Sequence, residues 1–260
     1  MSALCPSPAA RLDALRAEIR ALEIAGRQAA ASSLPFGVCA IDRKLVGEGL
    51  VVAALHEICG AGSSLNDDAA ATLFVAGIAA RLGSGSGTVL WIRARRDLFA
   101  PALAQAGLPP HRVIYADCSR DEDVLAVFEE GLRHGGLAAV VGEVGRASMT
   151  ATRRLQLAAE DSGTMALMLK RWRRNGVDPL ALPSAASSRW RIGCVPSEAL
   201  PASGIGRPRW SIDLVRQRGG PAHHWIMEGI DEAGRLALPA GPSHRSAAAD
   251  RREAPVRNVA

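Results

Sequence analysis

Apolar positions along this chain switch repeatedly between two periods, and the switching predicts the fold. Residues 9–31 carry Leu12, Leu15, Ile19 and Leu22 at spacings of three and four, with Arg, Glu and Asp filling the other positions, which is the stripe of a helix. The stretch "SSLPFGVCAIDRKLVGEGL" holds no period and reads as loop, with turns at Pro35 to Gly37 and at Gly47 and Gly49. Strands follow at "VVAALHEI", "GTVLWIRA", "RVIYADC", "LAAVVGEV" and "TMALMLKR". Helices separate them: 67–82, with Asp67 and Asp68 in a first turn whose dipole favours carboxylates; "RDLFAPALAQAG", interrupted at Pro101; "SRDEDVLAVFEEGLRHGG", capped by Ser119 and closed by a glycine pair; and "MTATRRLQLAAEDSG". The near-continuous apolarity of "LAAVVGEV" suits a strand covered on both faces. The fold class is therefore α/β, a mostly parallel central sheet flanked by helices.

After Trp172 the texture changes. A loop, "RRNGVDPLALPSAASS", leads into short strands in "RWRIGCVPS", "RPRWSIDLVRQRGG" and "HHWIMEGIDEAGRLAL", expected to extend the sheet antiparallel or to form a hairpin layer. The chain divides on this reading into an N-terminal helix (1–31), an α/β core (32–188), a basic strand-rich extension of that core (189–238) and a tail (239–260) whose Ala, Pro, Ser and Arg content predicts disorder. The N-terminal stripe either packs on its own domain or docks on a neighbour.

Composition narrows the class. A chain of 260 residues, 48% hydrophobic and 22% charged, buries a full core as one domain with extensions. No run of 18 apolar residues argues for a membrane span, and the first residues lack the pattern of a secretory signal, so a cytoplasmic protein is expected. Five scattered cysteines in no metal-ligand spacing read as reduced core residues. The net charge of +5 is unevenly placed: Arg189, Arg191, Arg207, Arg209, Arg216 and Arg218 face only Glu198 and Asp213 over the same stretch. In strands each of the pairs 189/191, 207/209 and 216/218 shares a face, so the guanidinium groups could track a phosphate backbone or an acidic partner, with Trp190 and Trp210 turned the other way into packing.

The segment "GAGSSLNDDAAATLF" has the setting of a phosphate-binding loop, a strand before and a helix after, without its working residues. Such a loop needs a lysine for the phosphates and a Ser or Thr for magnesium. After Gly60 the corresponding residues are Leu65, Asn66, Asp67 and Asp68, and two carboxylates would repel a nucleotide tail. Where a metal-binding aspartate would end the central strand stand Gly142 and Glu143, and the next candidate positions are Arg93, Arg95 and Arg96, which cannot accept a proton. His56, His111, His134, His223 and His224 form no recognisable ligand set. No catalytic residue, cofactor or metal site is assigned, and the protein is expected not to be an enzyme.

Taken together, "LPFGVCAIDRKLVGEGLVVAALHEICG", "LAAVVGEVGRASMTATRRLQLAAEDSGTMALMLKR" and "RPRWSIDLVRQRGGPAHHWIMEG" resemble the RecA-like core, and more closely the ImuA family of SOS mutagenesis accessory proteins, over roughly residues 10–238. The resemblance implies a RecA-like sheet with degenerate nucleotide motifs: Gly60 matches the first loop glycine, Leu65, Asn66 and Asp67 replace glycine, lysine and threonine, Gly142 replaces the metal-binding aspartate, and Arg95 falls about where the catalytic glutamate would be. It further implies a non-catalytic scaffold in damage-induced translesion synthesis. Its implied partners are the ImuB polymerase-like protein and, beyond it, RecA and an error-prone replicative-type polymerase. The stripe of Leu12, Leu15, Ile19 and Leu22 becomes an interface candidate, with self-association also open. Arg153 and Arg154 lie near where RecA proteins organise DNA-binding loops, so that pair and the basic segment are the candidates for weak, sequence-independent DNA contact. The alternatives are a divergent ATPase using Glu143 and magnesium, or a DNA-binding modulator of recombinase filaments.

Overall fold

Strand follows helix because each apolar run is too short for anything but a strand and is bounded by turn residues. The computed structural model describes residues 32–172, 176–197 and 206–239; the N-terminal stripe and nearly all of the tail lie outside them. A two-stranded antiparallel pair, β1 (Ser33–Leu34) and β2 (Leu50–Val51), frames a short helix α1 (Cys39–Asp42) in the stretch expected to be loop. It is held by the Asp42 carboxylate, which accepts the amides of Phe36 at 2.7 Å and Gly37 at 2.9 Å.

Then come β3 (Leu55–Gly60), α2 (Leu65–Ala80), β4 (Val89–Arg93), α3 (Ala100–Gln105), β5 (Val113–Asp117), α4 (Asp121–His134), β6 (Ala139–Val144), α5 (Met149–Ser162) and β7 (Met165–Lys170). β8 (Ser188–Val195), β9 (Arg209–Gln217) and β10 (His223–Glu228) complete one eight-stranded sheet in the order β10-β9-β8-β3-β7-β6-β4-β5. The six strands from β8 to β5 run parallel, and β9 and β10 add antiparallel. The basic segment thus belongs to the main sheet, and its first strand lies parallel beside β3 instead of antiparallel. This is the α/β, RecA-like architecture read from the sequence.

Boundaries differ for physical reasons. α2 starts two residues before its expected onset because Ser64 caps it, its hydroxyl accepting the Asp67 amide at 3.1 Å. Ser119 makes no cap: α4 begins after Arg120 without a side-chain cap, and its first turn relies on Asp121, Glu122 and Asp123. Pro101 lies in the first turn of α3, where a missing N–H costs nothing, so it starts that helix and does not interrupt it.

Two cores flank the sheet. On one face α2 is buried along nearly its whole length, from Ala70 to Ala80, because it lies between the sheet and an outer layer of α1, β1 and the segment after β10. That segment crosses α2 closely: a Cβ at Gly77 would meet Ile230 at 2.9 Å, and one at Gly234 the Gly77 carbonyl at 2.7 Å. Phe36, Phe74 and Trp190 pack together here, with ring centroids 5.7 to 5.8 Å apart. On the other face α4 and α5 are amphipathic and cover β3, β7, β6 and β4 through Val124, Phe128, Leu132 and Leu155. Of the cysteines read as core residues, Cys59 is buried, with its thiol pushed up to about 12 by burial, whereas Cys39 and Cys194 are exposed. Among the described residues no helix is long and apolar enough to cross a membrane.

Candidate functional site

The carboxyl ends of parallel strands collect loops and helix N-termini, so ligands of open α/β sheets bind there. Among the described residues, the chain's own side chains occupy that edge between β3 and β6, beside a cavity of about 190 Å³ lined by Gly145, Arg146, Arg171, Asp178 and Leu182. β3 ends at Gly60, and the loop to Ser64 folds around Asp67: a Cβ at Gly60 would lie 3.2 Å from the Asp67 Cβ, and one at Gly62 would lie 3.1 Å from Asp67 Oδ2. The glycines therefore make room for a carboxylate. Asp67 Oδ1 accepts the Cys194 amide at 2.8 Å, tying the N-terminus of α2 to the end of β8. An anion at a helix N-terminus is favourable, and here the protein supplies it. Leu65, at the start of α2, is 86% exposed, and the Asn66 carbonyl accepts the Cys194 thiol at 3.3 Å.

A residue the sequence reading did not single out, Arg171, occupies the centre. It follows β7, which the sheet order places between β3 and β6, and its amide donates to the Val144 carbonyl at 2.8 Å. Its guanidinium reaches Glu143 through Nε at 3.2 Å and Nη2 at 3.1 Å, and through Nη1 it reaches Asp68 at 2.8 Å and the Thr72 hydroxyl at 2.9 Å. Trp91 Nε1 donates to the same Glu143 carboxylate at 2.8 Å, and Glu143 is fully buried. Burial works against the Arg171 charge, but Glu143 and Asp68 outweigh it and hold the guanidinium above its ordinary range. Trp172 Nε1 closes the end of β3 by donating to the Gly60 carbonyl at 2.9 Å.

Glu143 faces α2 and the loop, its carboxylate meeting the Arg171 guanidinium that also holds Asp68. Gly142 points the other way, where the Phe128 ring leaves no room for a Cβ. Both Glu143 oxygens are engaged, and a guanidinium bridges the two carboxylates that a magnesium ion would have to share. The residues present do not fit a magnesium nucleotide. Among the described residues, no three His, Cys, Asp or Glu side chains converge as a metal-ligand set. His56 is structural: it is buried between the Ser188 hydroxyl at 2.6 Å and the Val51 carbonyl at 2.8 Å, and burial lowers its pKa to about 4.

Most of the basic positions are engaged by the protein itself. Arg189 is buried and donates to Glu57 at 2.7 Å, in a cluster that also holds buried Lys170, 3.7 Å from Glu57. Arg191 pairs with Asp178 at 2.7 Å; Arg207 donates to the Gly229 and Arg235 carbonyls; Arg216 reaches the Ser184 carbonyl at 3.0 Å. Arg218 donates to the Ala185 carbonyl at 3.1 Å, and half-buried Arg209 sits in register between Val195 and Glu228. Trp190 and Trp210 are turned into the core, as the strand alternation requires. On α5, Arg154 pairs with Glu129 at 2.5 Å while Arg153 is exposed. Arg93 lies over the Tyr115 ring and bonds Asp117 at 2.5 Å, and Arg96 shares that carboxylate at 3.1 Å.

No family model matches the chain. A comparison with curated proteins decides its kinship: over 219 residues the chain is 38% identical to Protein ImuA of Caulobacter vibrioides (strain NA1000 / CB15N), covering 81% of this chain and 88% of the relative. The chain belongs to the ImuA family. Protein ImuA of a second Caulobacter vibrioides strain, ATCC 19089 / CIP 103742 / CB 15, matches with the same identity and coverage. Family membership agrees with the resemblance read from the sequence.

Proposed function

We propose that this protein is a non-catalytic scaffold of SOS-induced translesion synthesis and mutagenesis, whose main partner is the ImuB polymerase-like protein, with RecA and the error-prone polymerase as further partners. The observation that supports the reading is Arg171 bridging Asp68 and Glu143 at the carboxyl edge of the parallel strands, the edge where open α/β sheets take their ligands. A family member whose catalytic edge is locked by internal ion pairs retains one inheritance from its fold, the surfaces by which it docks. The stripe of Leu12, Leu15, Ile19 and Leu22 is the proposed ImuB contact. Weak, sequence-independent DNA contact through exposed Arg153 and the rim of the basic segment belongs to the same proposal; such binding weakens steeply between about 50 and 200 mM salt.

The test is co-expression capture of ImuB, RecA and the polymerase, each offered separately to the full chain, with and without nuclease, and repeated with Leu15→Asp and Ile19→Asp together. Nuclease-resistant capture of ImuB, lost in that variant, supports the scaffold and its interface. Failure to capture any of the three, together with magnesium-dependent ATP binding, would move the divergent ATPase to first place.

A further inference from the structure

At the far end of α2 from the phosphate-loop edge, about 24 Å along a helix of 16 residues, lies an open groove of about 620 Å³. Its walls come from Leu34 at the end of β1, Phe36 just after it, Arg81 at the end of α2, and Arg235 and Leu236 in the segment that crosses α2. Among the described residues no carboxylate lines it. The two arginines therefore face the groove with like charge.

Arg81 leaves donors unused. Its Nη1 donates to the Phe36 carbonyl at 3.0 Å and its guanidinium lies 5.6 Å from the Phe36 ring centroid, while Nε and Nη2 are buried without a hydrogen-bond partner among the described residues. Asp42, whose charge acts on Arg81, accepts the Phe36 and Gly37 amides. Burial lowers the Arg81 pKa, Asp42 opposes that and Arg235 adds to it, so the site as it stands disfavours its own charge. Like charges beside one groove repel, and a carboxylate between the two guanidinium groups would relieve that repulsion.

We propose that this groove docks an acidic and apolar peptide segment of a partner protein, with a carboxylate between Arg81 and Arg235 and flanking aliphatic side chains against Leu34, Phe36 and Leu236. The apolar walls favour a peptide over a free phosphate, which would leave them wet. Nucleic acid fits worse: the one aromatic ring, Phe36, already packs on Phe74 and Trp190, leaving no open stacking surface. The volume falls in the range of sites that enclose several side chains. The proposal stands apart from the scaffold reading, since the groove is remote from the locked edge and can be tested without ImuB.

The experiment titrates the full-length protein into a fluorescein-labelled Leu-Asp-Leu-Glu-Phe-Leu peptide and follows anisotropy. Its controls are the Leu-Asn-Leu-Gln-Phe-Leu analogue, competition by inorganic phosphate, and the variants Arg235→Glu and Arg81→Lys, with thermal melts to show that both variants fold. The expected result is saturable binding, weakened at least about tenfold in the amide analogue and in Arg235→Glu, which is one lost charge-assisted contact. Equal affinity of the amide analogue, displacement by phosphate at concentrations matching the peptide, or unaltered binding to Arg235→Glu would each overturn it. So would the absence of any anisotropy change with the wild-type chain, whether the groove is filled by the chain's own residues 1–31 or binds nothing.

Discussion

Replacing Arg171 by Met keeps most of its length and removes its charge, so Glu143 is left buried with only Trp91 as a donor. Arg171 is 8% exposed and Glu143 is not exposed at all, so solvent screens neither partner appreciably. Breaking a buried pair by removing one partner costs about 3 to 5 kcal/mol, chiefly because of the uncompensated charge left behind. Asp68 is about a quarter exposed and can recover water, so most of the loss comes from Glu143. In equilibrium urea unfolding at pH 7.5, a loss of that size at a slope of about 1 to 3 kcal/mol/M lowers the midpoint by about 1 M or more. Adding Glu143→Gln to Arg171→Met should restore more than half of the loss, since the amide oxygen still accepts from Trp91 and no charge remains buried. A single-variant loss under about 1 kcal/mol, or additivity of the two substitutions, would refute the argument that this network is a tightly coupled, desolvated lock.

Two further outcomes follow from the same reasoning. The buried His56 imidazole takes its proton only near pH 4, whereas the unfolded chain takes it near 6.5; stability should therefore fall as pH drops from 6.5 to about 4, by up to about 3 kcal/mol from this group. Unfolding midpoints across that window should show the slope in wild type and a flatter one in His56→Asn; equal slopes would remove His56 from the account. Gly142→Ala should cost about 1 to 3 kcal/mol by driving a methyl group into the Phe128 ring, and Gly142→Asp more, because it also buries an unpaired charge. Wild-type stability of Gly142→Asp in thermal melts would show that this strand accommodates a carboxylate against Phe128.

Much of the fold was legible because five of the six parallel strands, β3 to β7, are short apolar runs bounded by turns, and that pattern survives without any knowledge of contacts. The absence of a phosphate-binding lysine was legible for the same reason, since it is a matter of residue identity at a known place. Arg171 was not: an arginine after "TMALMLK" looks like a strand end meeting solvent, and only the sheet order sets it between Asp68 and Glu143. The internal partners of the basic segment were not legible either. Sequence counts six arginines but does not show that Arg189 turns inward to Glu57 or that Arg216 and Arg218 hold the carbonyls of Ser184 and Ala185. The short β1–β2 pair was hidden because two-residue strands carry no period, and their pairing depends on the Asp42 turn between them.

The central claim is that the chain's own Asp67 and Arg171 fill the edge where a relative of RecA would bind nucleotide. Isothermal titration of magnesium ATP into the full-length protein tests it most directly. The account predicts no saturable heat, meaning a dissociation constant weaker than about 1 mM. Saturable, magnesium-dependent binding tighter than about 100 µM, abolished by Glu143→Gln, would contradict it.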